Sequence, residues 1–397
     1  MFGGRFLRRI LAFQSGRTRR GKPRPYGETG NYFMLQDILG QPYAVRMLEN
    51  ALQQDRLAGS YLFVGPDGVG KATAARQFAK RLCGARSDED ATARAIDAGK
   101  SPDVRSLDPP PSRIISVAQV WPRSNHKDHP AENAMLRDLQ FEPMAGPKRV
   151  FIIHDAEGLG RGGADAGNSL LKSLEEPPSY AHFILTATST GGVMPTIVSR
   201  CQVVHFGLLP AEEIETALTT QFKIAPAQAH FLAAYSEGRL GRAVSLARSP
   251  SLLAARELLL DLARDLASAP PIKSFKLGEE FRRLAPKLKA GEDDEAAGEA
   301  EEKAGREPLG RALDLLTIYY RDVLAVTVLG GVKAALVNRD RQEEIEAAAA
   351  HYSTEQIQRA LALLLDIRQC VERNANSQLA IDVLFTHLTT LGKKVEK

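Results

Sequence analysis

The residues best placed to do chemistry lie in two short stretches, GPDGVGKAT (65–73) and VFIIHDAEGL (150–159). The first satisfies G-x-x-x-x-G-K through Gly65, Gly70 and Lys71, with Gly68 between them. Glycines let backbone N–H groups turn onto phosphate oxygens, a following helix adds its dipole, and the lysine reaches the β- and γ-phosphates. The motif carries weight only after a strand and before a helix. YLFVG (61–65) and the helical run from Lys71 to Leu82 supply that context, so the pattern predicts a nucleotide-binding loop.

Metal chemistry is where both stretches depart from a hydrolytic site. The residue after the lysine should carry the hydroxyl that holds Mg²⁺, and here it is Ala72. Thr73 offers a hydroxyl one residue later, but one helical step turns it about 100° away. At the end of the second strand, His154 stands where a metal-binding carboxylate is expected, and imidazole is a poor ligand for so hard a cation. Asp155 occupies the place of a water-activating carboxylate, with a shorter side chain than glutamate. Two losses at one metal site predict weak or absent hydrolysis, with nucleotide binding kept by Lys71 and the loop amides. His154 reads alternatively as a polar strand end satisfied by a neighbouring loop.

The elements that must position these residues follow from patterning. RVFII (149–153) and HFILTAT (182–188) read as further strands, and NSLLKSLEE (168–176) is a helix stopped by Pro177 and Pro178. Strands alternating with helices predict an α/β domain, a parallel sheet with helices on both faces. Ahead of it, LQDILGQPYAVRMLENAL (35–52) has helical spacing. Beyond Pro210 every strong periodic segment is helical. In the last of these, Ser353 and Gln356 form a capping box, and Ile357, Leu361 and Leu364 line one face. Residues 84–100 are polar and alanine-rich, 121–133 reads as a surface loop, and 289–308 is acidic and poor in apolar residues, hence a mobile insertion.

At 397 residues the chain should hold two or three domains, and its 25% charged and 44% hydrophobic content is that of a soluble globular protein. No run is long and apolar enough for a membrane helix. Cys83, Cys201 and Cys370 make neither a disulfide framework nor a C-x-x-C clamp, which fits the cytoplasm. His126 and His129, in a loop without a further close ligand, are not expected to bind metal.

Residues 1–33 carry eight basic side chains against Glu28 alone, a net +7, so the remainder carries −3 of the overall +4. That remainder has no basic footprint for nucleic acid. RFLRRILAF in the tail suits a membrane surface or nucleic acid, and an adaptor built on this tail is one possible reading. Equally, the tail reads as a disordered extension, or as an over-long start with Met34 as the first residue.

Together, LQDILGQPYAVRMLENAL, YLFVGPDGVGKAT, SPDV (101–104), NSLLKSLEEPP (168–178), PTIVSRCQ (195–202) and ERNANSQLAIDVL (372–384) give the chain its resemblance to bacterial clamp-loader subunits of DNA polymerase III. It is most similar to their delta-prime branch, and related to gamma/tau. The resemblance implies an AAA+ nucleotide-binding domain over 34–208, a helical lid over 209–250 and a helical collar over 251–397. The collar joins gamma/tau and delta subunits into a hetero-pentamer that loads a sliding clamp onto primed DNA. It implies that Arg200, in Ser199-Arg200-Cys201, is an arginine finger reaching a neighbour's nucleotide. It places Arg242 of GRLGRAV near the phosphates in cis, and a first-sensor polar residue at Thr186 or Thr188. A four-cysteine zinc module is frequent in the family after the phosphate-loop helix. Here Cys83 stands alone, so zinc is not expected. ATP bound without efficient hydrolysis, with magnesium poorly held, fits a stator. A competent gamma/tau-like ATPase motor is the alternative.

Overall fold

The computed structural model describes residues 38–121, 134–288, 301–331, 335–373 and 375–391. The basic extension 1–33, Met34, His126, His129 and residues 289–300 lie outside the described residues. The chain divides into two compact units, Met1–Pro210 and Ala211–Lys397.

The first unit is an α/β domain. Its first described helix, α1 (Pro42–Gln53), has Pro42 in the first helical turn, where its missing N–H costs nothing. Strand β1 (Ser60–Val64) runs into the glycine loop and α2 (Lys71–Leu82). Helix α3 (Ala91–Asp97) and strand β2 (Val104–Leu107) follow, then the single turn α4 (Val117–Val120) and strand β3 (Arg149–Ile153). Next come α5 (Gly158–Arg161), α6 (Asp165–Glu175), β4 (Ala181–Ala187), α7 (Pro195–Val198) and β5 (Gln202–His205).

The sheet is parallel, with strand order β2-β3-β4-β1-β5. Side chains alternate between two cores, as a period of two requires. Tyr61, Phe63, Val150 and Ile152 pack with Leu48, Ala75 and Phe78 on one face, while Leu62, Val64, Phe151 and Ile153 pack with Leu159, Leu170 and Leu174 on the other. Both faces are thus buried, which is why the centres of β1, β3 and β4 are apolar at successive positions.

Residues 84–100, where the sequence showed only polar, alanine-rich composition, contain α3, capped by the Asp90 carboxylate accepting from Thr92 N at 3.1 Å. Buried Lys80 of α2 bonds Asp88 at 2.9 Å and Asp97 at 2.8 Å, tying this segment down with ion pairs.

The second unit is helical. Three helices, α8 (Ala211–Thr220), α9 (Pro226–Tyr235) and α10 (Leu240–Ala247), precede the longer α11 (Pro250–Ser268) and α12 (Ser274–Leu284). Then come α13 (Glu301–Leu329), α14 (Gln342–Ala349), α15 (Thr354–Glu372) and α16 (Ser377–Leu391). Residues 301–308, expected as part of a mobile insertion, instead form the first turns of α13. Alanine and glutamate are strong helix formers, and composition alone hid that. The predicted capping box is present: Ser353 Oγ accepts from Gln356 N at 3.2 Å, and Gln356 accepts from Ser353 N at 2.7 Å. No described helix is long and apolar enough to cross a membrane.

Candidate nucleotide site

Parallel sheets bind ligands beyond the carboxyl ends of their strands, where neighbouring connections diverge. The loop after β1 has this position, since β1 lies between β4 and β5. Gly65 must be glycine because a Cβ there would come within 2.2 Å of the Phe206 carbonyl oxygen at the end of β5. Gly70 has φ of 101°, a left-handed conformation that only glycine adopts without strain, and it turns the chain into α2. Gly68 also has positive φ. Ala72 and Thr73 follow on the exposed side of α2's first turn.

Lys71 is buried and folded back on its own loop. Its Nζ donates to the carbonyls of Gly65 and, at 2.8 Å, Pro66, and meets Asp67 at 3.4 Å. Burial lowers its proton affinity, while the carboxylates of Asp67, Glu157 and Asp155 act to restore it. The loop is also braced from α1's entry. Gln41 donates to Gly207 O at 2.8 Å and to Val69 O at 3.4 Å, and accepts from Gly207 N at 3.0 Å. The sequence reading passed over Gln41, because its partners lie up to 166 residues away.

Beyond β3, His154 donates its backbone N–H to Leu107 O at 3.0 Å, and its Nε2 lies 3.8 Å from exposed Asp108. Burial holds the imidazole below its usual pKa, so it is neutral at pH 7. Asp155 follows with φ of 52°. Its backbone N–H reaches Thr186 Oγ1 at 3.4 Å, and its carboxylate accepts from Arg161 at 2.9 Å.

Glu157, also passed over in the sequence, closes the site. Only 5% of it is exposed, and its Oε1 accepts from Thr188 N and Thr188 Oγ1, each at 2.6 Å, and from Ser189 N at 3.4 Å. Burial pushes the Asp155 carboxyl up, the adjoining Glu157 carboxyl adds to this, and Arg161 opposes it. Burial acts on Glu157 in the same sense. There the hydrogen bonds from Thr188 and the Asp155 carboxyl prevail and hold it below the usual range. Of the two first-sensor candidates, Thr186 lies buried in β4 and Thr188 stands at the strand end against Glu157.

The loop amides, the α2 N-terminus and Lys71 suit a phosphate chain. The same residues fit magnesium poorly. Ala72 has no ligand atom, His154 offers nitrogen, and Asp155 is engaged by Arg161. Among the described residues no cluster of three or more His, Cys, Asp or Glu could hold a metal ion. Cys83 is buried beside the Lys148 carbonyl at 3.4 Å, and its thiol is pushed up to about 12 by burial.

Arg200 and Arg242 belong to other elements. Arg200 follows α7, where it donates to Thr196 O at 2.8 Å and contacts the Glu175 carboxylate at the end of α6. Arg242 belongs to the second unit, in the first turn of α10, 3.7 Å from Glu237 and over the Tyr235 ring at 5.0 Å.

Residues 40–209 match the family model described as "DNA polymerase III, delta subunit". DNA polymerase III subunit delta' of Bacillus subtilis is 27% identical over 343 residues, spanning 85% of this chain and 93% of that protein. Subunit tau of the same organism is 26% identical over 338 residues, spanning 80% of this chain and 56% of the relative. Over most of its length the chain is thus similar to clamp-loader subunits of DNA polymerase III. Among solved structures, a gamma-subunit-related protein of Thermotoga maritima is similar at 18% identity with a TM-score of 0.41, covering 87% of this chain and 99% of that one. A parallel sheet with a glycine loop after β1, and a separate helical unit after it in the chain, are elements that the family resemblance implies.

Proposed function

We propose that the chain is a delta-prime-type stator of the clamp loader. Its own ATPase site is degenerate, and Arg200 is supplied in trans to the nucleotide of a neighbouring motor subunit. The observation that carries this reading is the chemistry around Lys71. The hydroxyl expected for Mg²⁺ is Ala72, the strand-end ligand is a neutral imidazole, and the carboxylate of Asp155 is turned to Arg161. ATP would bind to the loop without efficient hydrolysis. A guanidinium presented to another subunit's γ-phosphate would stabilise transition-state charge, a contribution of roughly 10³–10⁵ in rate. Arg200 suits that role because its partners are a surface glutamate and a carbonyl, which it can leave at small cost.

In this reading residues 209–250 form the lid, with Arg242 as its second sensor, and Thr188 is the first sensor. Residues 251–397 form the collar that joins gamma/tau and delta subunits into a hetero-pentamer. The assembly, rather than this chain alone, engages the sliding clamp and primer–template DNA in the cytoplasm. The motor reading draws on the similarity to subunit tau, nearly equal in identity to that with delta'.

One experiment separates the two. ATP turnover is measured for the reconstituted assembly with wild-type chain and with Arg200→Ala, after equal assembly is established, and for the isolated chain with magnesium. Loss of about one motor site's share with Arg200→Ala, and no turnover by the isolated chain, is the expected result. Turnover by the isolated chain that Lys71→Ala abolishes would establish the motor instead.

A further inference from the structure

Some of the site's candidate phosphate-binding groups already have partners within the protein. Lys71 is bound to the loop carbonyls of Gly65 and Pro66. The donors at the end of β4, Thr188 N, Thr188 Oγ1 and Ser189 N, all converge on one oxygen of Glu157. The glycine loop begins beside these donors, because Gly65 donates its N–H to Ala187 O at 3.1 Å, and the Glu157 charge also acts on the proton affinity of Lys71. Its other oxygen, Oε2, is buried, and the Asp155 carboxyl adjoins the same carboxylate. Three converging donors and a nearby ammonium are what a terminal phosphoryl group requires of a protein.

We propose that Glu157 is an internal occupant of the terminal-phosphate position, and that it sets how weakly this site takes a nucleoside triphosphate. A γ-phosphate entering the site must displace the carboxylate from Thr188 or lie beside it as a like charge, and either disfavours binding. The backbone holds Glu157 in place. It follows β3 by four residues, Thr188 follows β4 directly, and the pairing of Ile153 with Leu185 brings the two strand ends together. On the far side Gly192 leaves room for it, since a Cβ there would stand 2.7 Å from Glu157 Cγ. The proposal rests on the phosphate-loop reading of this site and is independent of the role given to Arg200.

The test is equilibrium binding of ATP and ADP to the full chain as wild type, Glu157→Gln, Glu157→Ala, Lys71→Ala and Glu157→Gln/Lys71→Ala. Glutamine keeps the acceptor for Thr188 and removes the charge, so the fold is retained. Alanine removes both and serves as the second variant. Glu157→Gln is expected to tighten ATP by about tenfold, the order of one moderate charge–charge term at a partly buried site. ADP, which lacks the terminal group, should gain much less, and Lys71→Ala should abolish the ATP gain. ATP affinity unchanged in both Glu157 variants would overturn the proposal, as would equal gains for ATP and ADP. If Lys71→Ala leaves binding intact in every background, the nucleotide is elsewhere. The phosphate-loop reading then fails, and the inference with it.

Discussion

The SPDV stretch, quoted above only as part of a family likeness, has a structural reason that can be tested by breaking it. Asp103 is 1% exposed and sits just before β2. Its carboxylate accepts three successive backbone N–H groups, from Met144 and Ala145 at 2.6 Å each and Gly146 at 2.9 Å. It also lies 3.5 Å from the guanidinium of Arg149, which is 2% exposed and donates to the carbonyls of Asp138 and Glu142 at 3.0 Å each. One buried ion pair therefore ties the loop before β3 to the start of β2.

Asp103→Asn keeps the shape, but it removes the charge and turns an N–H₂ group toward donors. Removing one member of a buried pair leaves the other charge uncompensated and costs about 3–5 kcal/mol. For a unit of this size that corresponds to a fall in Tm of roughly 6–20 °C. The chain's single tryptophan, Trp121, is in the first unit and bonded through Nε1 to Ser169 O at 2.8 Å, so its fluorescence reports this unit. Thermal and urea melts followed at Trp121 should show the loss. Arg149→Met added to Asp103→Asn should cost less than Arg149→Met alone, because the stranded charge is removed. A shift of only a degree or two, or strictly additive costs, would refute the assignment of a buried, mutually dependent pair.

Two further outcomes follow from groups outside the site. Burial works against ionisation of Asp340, but hydrogen bonds from Arg256, at 2.7 and 2.8 Å, outweigh it and hold its pKa below the usual 3.8. A depressed folded-state pKa gives stability that is present above the unfolded value and lost as pH falls through the folded one. Urea midpoints of the wild type should therefore fall between about pH 5 and pH 2, with a shallower fall in Asp340→Asn. Among the cysteines, burial pushes the Cys83 and Cys201 thiols to about 12, whereas Cys370 is exposed. Thiol titration of the native chain at pH 8 should accordingly count one fast group, and Cys370→Ser should remove it.

What could be read from the sequence was what neighbouring residues decide. The glycine loop, the buried strands and the capping box at Ser353 are each set within a handful of positions, and each is where its spacing placed it. Ala72, His154 and Asp155 are proposed as degenerate metal positions on the same kind of local information, their register against a strand or helix end. Composition was a poorer guide. It left 84–100 without structure, although Asp90 ahead of an alanine-rich run is a helix start, and it extended the acidic insertion through the first turns of α13. Glu157 and Gln41 were invisible for a different reason. Their partners lie 31 and 166 residues away and meet them only because β3 pairs with β4 and β1 with β5. A reading that stops at the motif sees a phosphate loop that has lost its metal. The strand pairing adds a second constraint, a carboxylate seated among the donors, so on the proposed reading poor hydrolysis and weak nucleotide binding would have separate causes. Replacing Ala72 and His154 by metal ligands would then leave the site poor as long as Glu157 remains.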